Sequence, residues 1–147
     1  MKHTIQNKEA KFNYEILDEF EAGLILKGDE IKSIRANRVN LKGSYVKLFY
    51  TKKGQPEVFL VGSRFYSQTL DPYRTRKLLL HQNEIKTLIG KTAEKGLTIV
   101  PLSIYIKNGK AKIKIALGRG KKLYDKRASI REKELNIKQK RILDNLG

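Results

Sequence analysis

A chain of 147 residues fits one domain of ordinary size, with enough length to bury a core and too little for a second full domain. Lys and Arg total 32 against 15 Asp and Glu, a formal net charge of +17, which is the electrostatic footprint of a partner with closely spaced phosphates. The absence of Cys excludes disulfides and thiolate metal sites. The two His residues, His3 and His81, are a poor start for another transition-metal site, and no metal or cofactor is expected.

The start of the chain, Met1-Lys2-His3-Thr4-Ile5-Gln6, carries neither a long apolar span nor a lipidation signal. A cytoplasmic, monomeric protein with no membrane partner is the expectation. The charge is uneven: residues 1–120 carry +12 and residues 121–147 carry +5, so the C-terminal segment is the more densely basic.

In chain order, the aromatic and branched run from Asn13 to Leu26 reads as a strand with Gly23 as a bulge or bend. Gly28-Asp29 offers a helix N-cap, and Ile31 and Ile34 at i, i+3 predict a short amphipathic helix ending near Asn37. Strands follow around Ser44–Thr51 and Glu57–Gly62, joined by Lys52-Lys53-Gly54-Gln55 as a hairpin loop. The good helix formers after Asp71-Pro72 predict a helix from about Thr75 to Lys95, broken near His81 to Asn83 and ended by Gly96. Leu97–Ile106 and Lys110–Leu117 then form two strands about Lys107-Asn108-Gly109, a strong hairpin mark, with Pro101 as a bulge or edge position.

About six short antiparallel strands with two or three helices favour a mainly β fold, an OB-type antiparallel barrel over residues 1–120. Beyond Gly120 the apolar residues Ile130, Leu135, Ile137, Ile142, Leu143 and Leu146 are scattered among charges. Such a segment cannot offset its own ordering entropy, so residues 121–147 are expected to be disordered when free and helical once docked on a polyanion.

Catalytic machinery is hard to find. Gly118-Arg119-Gly120-Lys121-Lys122 lacks the spacing and the Ser or Thr of a nucleotide-phosphate loop. His81, at the end of an apolar helical run, reads as a structural histidine. The acidic residues Glu15, Asp18, Glu19 and Glu21 read chiefly as the polar face of an edge strand. The chain is therefore expected not to be an enzyme.

Four stretches occur in series: Phe20-Glu21-Ala22-Gly23-Leu24; Glu30-Ile31-Lys32-Ser33-Ile34-Arg35; Asp71-Pro72 with Arg74-Thr75-Arg76-Lys77-Leu78-Leu79-Leu80; and Gly120-Lys121-Lys122-Leu123-Tyr124-Asp125-Lys126-Arg127. In this order they resemble the SmpB family, whose members bind transfer-messenger RNA and take it to stalled bacterial ribosomes. The resemblance runs from about Asn7 to the C-terminus.

It implies an OB-type barrel that clasps the transfer-RNA-like part of that RNA, with Asn7, Lys8, Glu21, Leu79 and Lys112 among the contacts. The chemistry is sensible: Asn7 pairs with a base edge or 2′-hydroxyl, Lys8 and Lys112 neutralise phosphates, and Leu79 packs on an exposed base. Glu21 must accept from a base or sugar group, or hold a basic neighbour in place. Two readings stay open for Leu79, a base contact or a core residue of an amphipathic helix. Lys112 has the alternative of a solvated strand lysine.

For the C-terminal segment the resemblance implies that Gly120, Lys121, Lys122, Asp125, Lys126 and Arg127 act inside the ribosome, at the decoding centre and along the empty messenger channel. Tyr124 is free to stack on a base there, and Ile142 and Leu143 form a small apolar patch. Some relatives carry His where this chain has Tyr124; stacking survives that change and acid–base chemistry near neutral pH does not. The competing expectation is a basic ribosomal or ribosome-assembly protein bound to ribosomal RNA. A nonspecific single-strand binder would use Tyr45, Phe49, Tyr50, Phe59, Phe65 and Tyr66 as stacking platforms, although their alternation suits a core as well.

Overall fold

The computed structural model describes residues 4–94 and 96–121. Its elements in chain order are β1 (Thr4–Gln6), α1 (Ala10–Asn13), β2 (Tyr14–Leu24), α2 (Gly28–Arg35), β3 (Val39–Asn40), β4 (Tyr45–Tyr50), β5 (Pro56–Val61), β6 (Arg64–Phe65), β7 (Arg76–Leu79), α3 (Gln82–Thr92), β8 (Leu97–Lys107) and β9 (Lys110–Gly120). Among the described residues no helix is long and apolar enough to cross a membrane.

The longest ladder is the β8–β9 hairpin. Asn108 and Gly109 both take positive φ, 52° and 75°, as a two-residue turn between Lys107 and Lys110 requires if its twist is to match the strands. Pro101 has no N–H to give the ladder, and the register shifts between Pro101 and Ser103, a bulge where the sequence led one to expect it. On its other side β9 pairs with β2 from Tyr14↔Gly120 to Gly23↔Lys112.

Among the described residues, β8, β4, β5, β7, β2 and β9 pair in that order, all antiparallel, and β9 returns to β8. The closure between β4 and β8 rests on the pair Val46↔Ile99, so the ring is partly open rather than a strict barrel. The mainly β expectation of about six strands with a few helices is met. β1 extends the sheet beyond β8, and β3 and β6 form a separate two-stranded ribbon.

Side chains inside the ring, among them Leu24, Val58, Leu60, Leu78, Ile104, Ile113 and Ile115, form the main core, and Ile34 of α2 and Leu88 of α3 are buried with them. A second small cluster joins Ala10 of α1 to Val100, Leu102 and Ala116. The middle of the β8–β9 hairpin is therefore buried on both faces. Its near-continuous apolar run is the sequence mark of that position.

Several expectations need correction. The helix foreseen from Thr75 is a strand at Arg76–Leu79, paired to β5 and β2, and helix begins at Gln82, where a mere break was expected. His81 is accordingly the exposed residue before that helix, its N–H donating to the Glu84 carboxylate at 3.1 Å. Gly23 is no bulge: β2 shifts register between Ile16 and Asp18 instead. The residue that caps α2 is Lys27, whose N–H donates to Glu30 Oε1 at 2.9 Å, one residue before the Gly28-Asp29 cap that was expected.

Candidate nucleic-acid interface

Strand alternation decides what β7 shows to solvent. Arg76 and Leu78 point into the protein and are buried, so Lys77 and Leu79 point out. Leu79 is 54% exposed, which removes the core-residue reading. It stands opposite Gly23, Gly23 stands opposite Lys112, and Lys112 stands opposite Tyr105. Leu79, Gly23, Lys112 and Tyr105 thus form one outward row across β7, β2, β9 and β8.

Gly23 is the open position in that row. A Cβ there would lie 3.3 Å from the Leu79 Cβ, tighter than ordinary contact, so the leucine occupies the space a side chain would need. Along the row runs an open groove of about 680 Å³, lined by Glu21, Gly23, Leu79 and Lys112 together with His81 and Lys110.

Glu21 is one outward step from Gly23 along β2. The Tyr105 hydroxyl donates a hydrogen bond to its Oε2, and Lys107 Nζ is 3.6 Å from Oε1. The Tyr105 hydrogen bond first, and the Lys107 and Lys112 charges after it, hold the Glu21 carboxyl below its ordinary value. Burial, and then the carboxylate itself, push the Tyr105 phenol up to about 12. Glu21 is a fixed acceptor among cations, and the repulsion a lone carboxylate would offer to phosphate is offset where it sits.

The structure gathers Glu21, Leu79 and Lys112 and leaves Asn7 and Lys8 apart from them. Asn7 is half-buried: its N–H donates to the Leu102 carbonyl at 2.8 Å and its side-chain amide donates to the Pro101 carbonyl, also at 2.8 Å. Its side chain fastens β1 to the β8 bulge. Asn7 lines a second groove with Asn13 and Tyr14, beside the point where the chain leaves β9. There Gly120 pairs with Tyr14, and the Lys121 N–H donates to the Asn13 carbonyl at 2.9 Å. Lys8 is exposed in the turn before α1. Lys122, Tyr124, Asp125, Lys126, Arg127, Ile142 and Leu143 lie outside the described residues.

The sequence reading missed Tyr105, Lys107 and Lys110; the row becomes visible only once the hairpin register is known. It also missed what anchors β7. Arg76 and Glu30 are both fully buried, with Arg76 Nε donating to Glu30 Oε2 at 2.7 Å. Arg76 also donates to the carbonyls of Ser63 at 3.1 Å and Pro72 at 3.0 Å, and its guanidinium lies 4.1 Å from the centre of the Phe65 ring.

Arg74 and the Lys27 N–H complete the shell of the Glu30 carboxylate. Burial pushes that carboxyl up, but these donors outweigh it and hold it below its ordinary value. Burial pulls the Arg76 guanidinium down. The clamp ties the start of β7, three residues before Leu79, to the first turn of α2.

Of the six aromatic residues weighed as core or platform, Tyr45, Phe49, Tyr50 and Tyr66 are exposed and Phe65 is fully buried. Phe59 is half-buried and meets Phe49 edge-on, with ring centres 5.5 Å apart. The core reading therefore fails for four of the six. Among the described residues no set of three His, Asp or Glu side chains is grouped to hold a metal ion.

A partly open ring of antiparallel strands with helices packed outside it defines a small β protein of the OB type. The family model described as SmpB protein matches residues 4–145, and the chain belongs to the SmpB family. The SsrA-binding protein of Syntrophobacter fumaroxidans is 51% identical over 137 residues, covering 89% of this chain and 82% of its own length. That of Anoxybacillus flavithermus is 53% identical over 135 residues, covering 88% and 84%. That of Enterococcus faecalis is 46% identical over 144 residues, covering 95% and 92%. A solved structure described as "tmRNA-SmpB: a journey to the center of the bacterial ribosome" superposes with a TM-score of 0.64 at 42% identity, covering 82% of this chain and 85% of that one.

Proposed function

We propose that this protein binds the transfer-RNA-like domain of transfer-messenger RNA and delivers it to stalled ribosomes for trans-translation. The observation that carries the reading is the outward row of Leu79, Gly23, Lys112 and Tyr105 with Glu21 held beside it. Family membership, and relatives that carry the name SsrA-binding protein, supply the identity of the RNA. No catalytic step belongs to this role, and its setting is the cytoplasm, where ribosomes work.

In this reading Leu79 packs on an unstacked base, Lys112 and Lys110 meet phosphates, and Glu21 keeps Tyr105 and Lys107 in place while its remaining lone pairs accept from a base amino group or a 2′-hydroxyl. Asn7 acts through the β1–β8 junction, and Lys8 adds a phosphate contact at that end. The segment from Gly120 through Lys121, Lys122, Tyr124, Asp125, Lys126 and Arg127 to Ile142 and Leu143 serves the ribosome: it folds on the ribosomal RNA of the decoding centre and the empty messenger channel.

A chain shortened to residues 1–120 separates the two halves of the proposal. It should bind the transfer-RNA-like RNA within about threefold of the full chain, because the segment's charges add only screened, nonspecific affinity. It should fail to support peptide tagging on stalled ribosomes. Normal tagging by the shortened chain overturns the role given to the segment, and loss of RNA binding overturns the role given to the ring.

A further inference from the structure

Away from the row, the C-terminal end of α2 meets the β3–β6 ribbon, and the side chains there have no part in the function proposed above. Asn37 takes a positive φ of 57°, which turns the chain so that the Arg38 N–H donates to the Ser33 carbonyl at 2.8 Å. The Tyr66 N–H then donates to the Arg38 carbonyl at 3.0 Å, and the Ser33 hydroxyl donates to the Tyr66 carbonyl. Two neighbours thus hold the Tyr66 backbone, yet the residue is 43% exposed. The Arg38 guanidinium covers the ring at 4.9 Å from its centre.

Arg38 and Tyr66 form the wall between two open grooves. One is lined also by Asn37, Asn40 and Arg64, and the other by Lys32. Among the described residues, Lys32, Arg38 and Arg64 form no ion pair. The one carboxylate lining either groove, Asp29, already accepts from the Ser67 and Thr69 hydroxyls. Unpaired cations around an aromatic ring, with the side-chain amides of Asn37, Asn40 and Gln68 beside them, match the chemistry of an unstacked nucleotide: guanidinium and ammonium for the flanking phosphates, ring and guanidinium planes for the base, amides for its edge.

We propose that Arg38, Tyr66 and Arg64, with Lys32, Asn37 and Asn40, form a second RNA site that takes an unpaired nucleotide. Among the described residues none lines both this site and the groove along the Leu79 row. The two grooves flank α2, with Ile31 lining the one along the Leu79 row and Lys32 the other, and simultaneous occupancy by two RNA segments is what the test below reads.

The test uses the full chain and a ten-nucleotide oligouridylate carrying 4-thiouridine, with and without the transfer-RNA-like RNA bound. Ultraviolet crosslinking should join the oligonucleotide to the peptide containing Tyr66 in both states. R38A/R64A and Y66A should each lower the yield about tenfold or more, while Y66F keeps it, because stacking needs the ring and not the hydroxyl. Binding of the transfer-RNA-like RNA should stay within about twofold in all three, since none of these residues is on its face. Crosslinks confined to residues 121–147 or to the Leu79 row, displacement of the oligonucleotide by the larger RNA, or unchanged yields in R38A/R64A would each overturn the second site. Crosslinking to the free protein is scored separately, so failure of the larger RNA to bind counts against the functional reading and not against this site.

Discussion

Tyr105 on β8 reaches across β9 so that its hydroxyl donates a hydrogen bond to Glu21 on β2. Three strands are bridged by one hydrogen bond, and Lys107 Nζ, 3.6 Å from the same carboxylate, is drawn to the same point. In the proposed role Glu21 organises this face before any RNA arrives, which lowers the ordering cost of binding.

Graded substitutions distinguish that positioning role from direct contact alone. Glu21→Gln keeps an acceptor for Tyr105 and loses the attraction for Lys107, whereas Glu21→Ala loses both. RNA affinity should fall in the order wild type, Glu21→Gln, Glu21→Ala, with Tyr105→Phe between wild type and Glu21→Ala. A binding titration alongside thermal melting reads this; equal losses in Glu21→Gln and Glu21→Ala, with Tyr105→Phe unaffected, would mean that Glu21 acts without Tyr105.

Gly23→Ala puts a methyl group 3.3 Å from the Leu79 Cβ. Relief requires Leu79 or the β2–β7 pairing to shift, at a cost of about 1–3 kcal/mol of stability. RNA affinity should fall as well, because Leu79 is displaced from the row. Denaturant unfolding and the RNA titration check the two parts, and a variant with wild-type values in both would show the close approach to be without consequence.

Glu30→Gln leaves Arg76 buried without its counter-charge. The expected loss is about 3–5 kcal/mol, measured by urea unfolding. The same pair sets an acid limit. The folded Glu30 carboxyl lies below its ordinary value of 4.5, so its stabilisation is complete above about pH 4.5 and is lost as pH falls through the lower, folded value. Wild-type stability should drop in that acid range, and Glu30→Gln should show a shallower drop.

Much of the fold was legible in advance, where local chemistry and tertiary context agree. Asn108-Gly109 announces a turn that needs two positive φ values, and Pro101 announces a bulge because it has no N–H for the ladder. Arg76–Leu79 misled for the opposite reason. Leucine, lysine and arginine favour helix locally, but pairing with Val58, Phe59 and Leu60 imposes a strand.

The site was legible only in part. Glu21, Leu79 and Lys112 came from motif resemblance, and nothing in spacing alone brings three residues so far apart in sequence into neighbouring positions. Tyr105 and Lys107 needed the β8–β9 register. Glu30 and Arg76 look like surface charges until their burial is known, since charged residues are rarely enclosed without a partner. Asn7 sits in the junction that closes β1 on β8, a structural duty its sequence position does not disclose.

Leu79 is the most direct probe of the proposed RNA face because it is exposed and apolar without belonging to the core. Leu79→Ala should lower affinity for the transfer-RNA-like domain by about fivefold or more, in line with the loss of one base-packing contact. Its melting temperature should stay within a few degrees of wild type, as befits a substitution at an exposed position. Wild-type affinity in a folded Leu79→Ala variant would contradict the account.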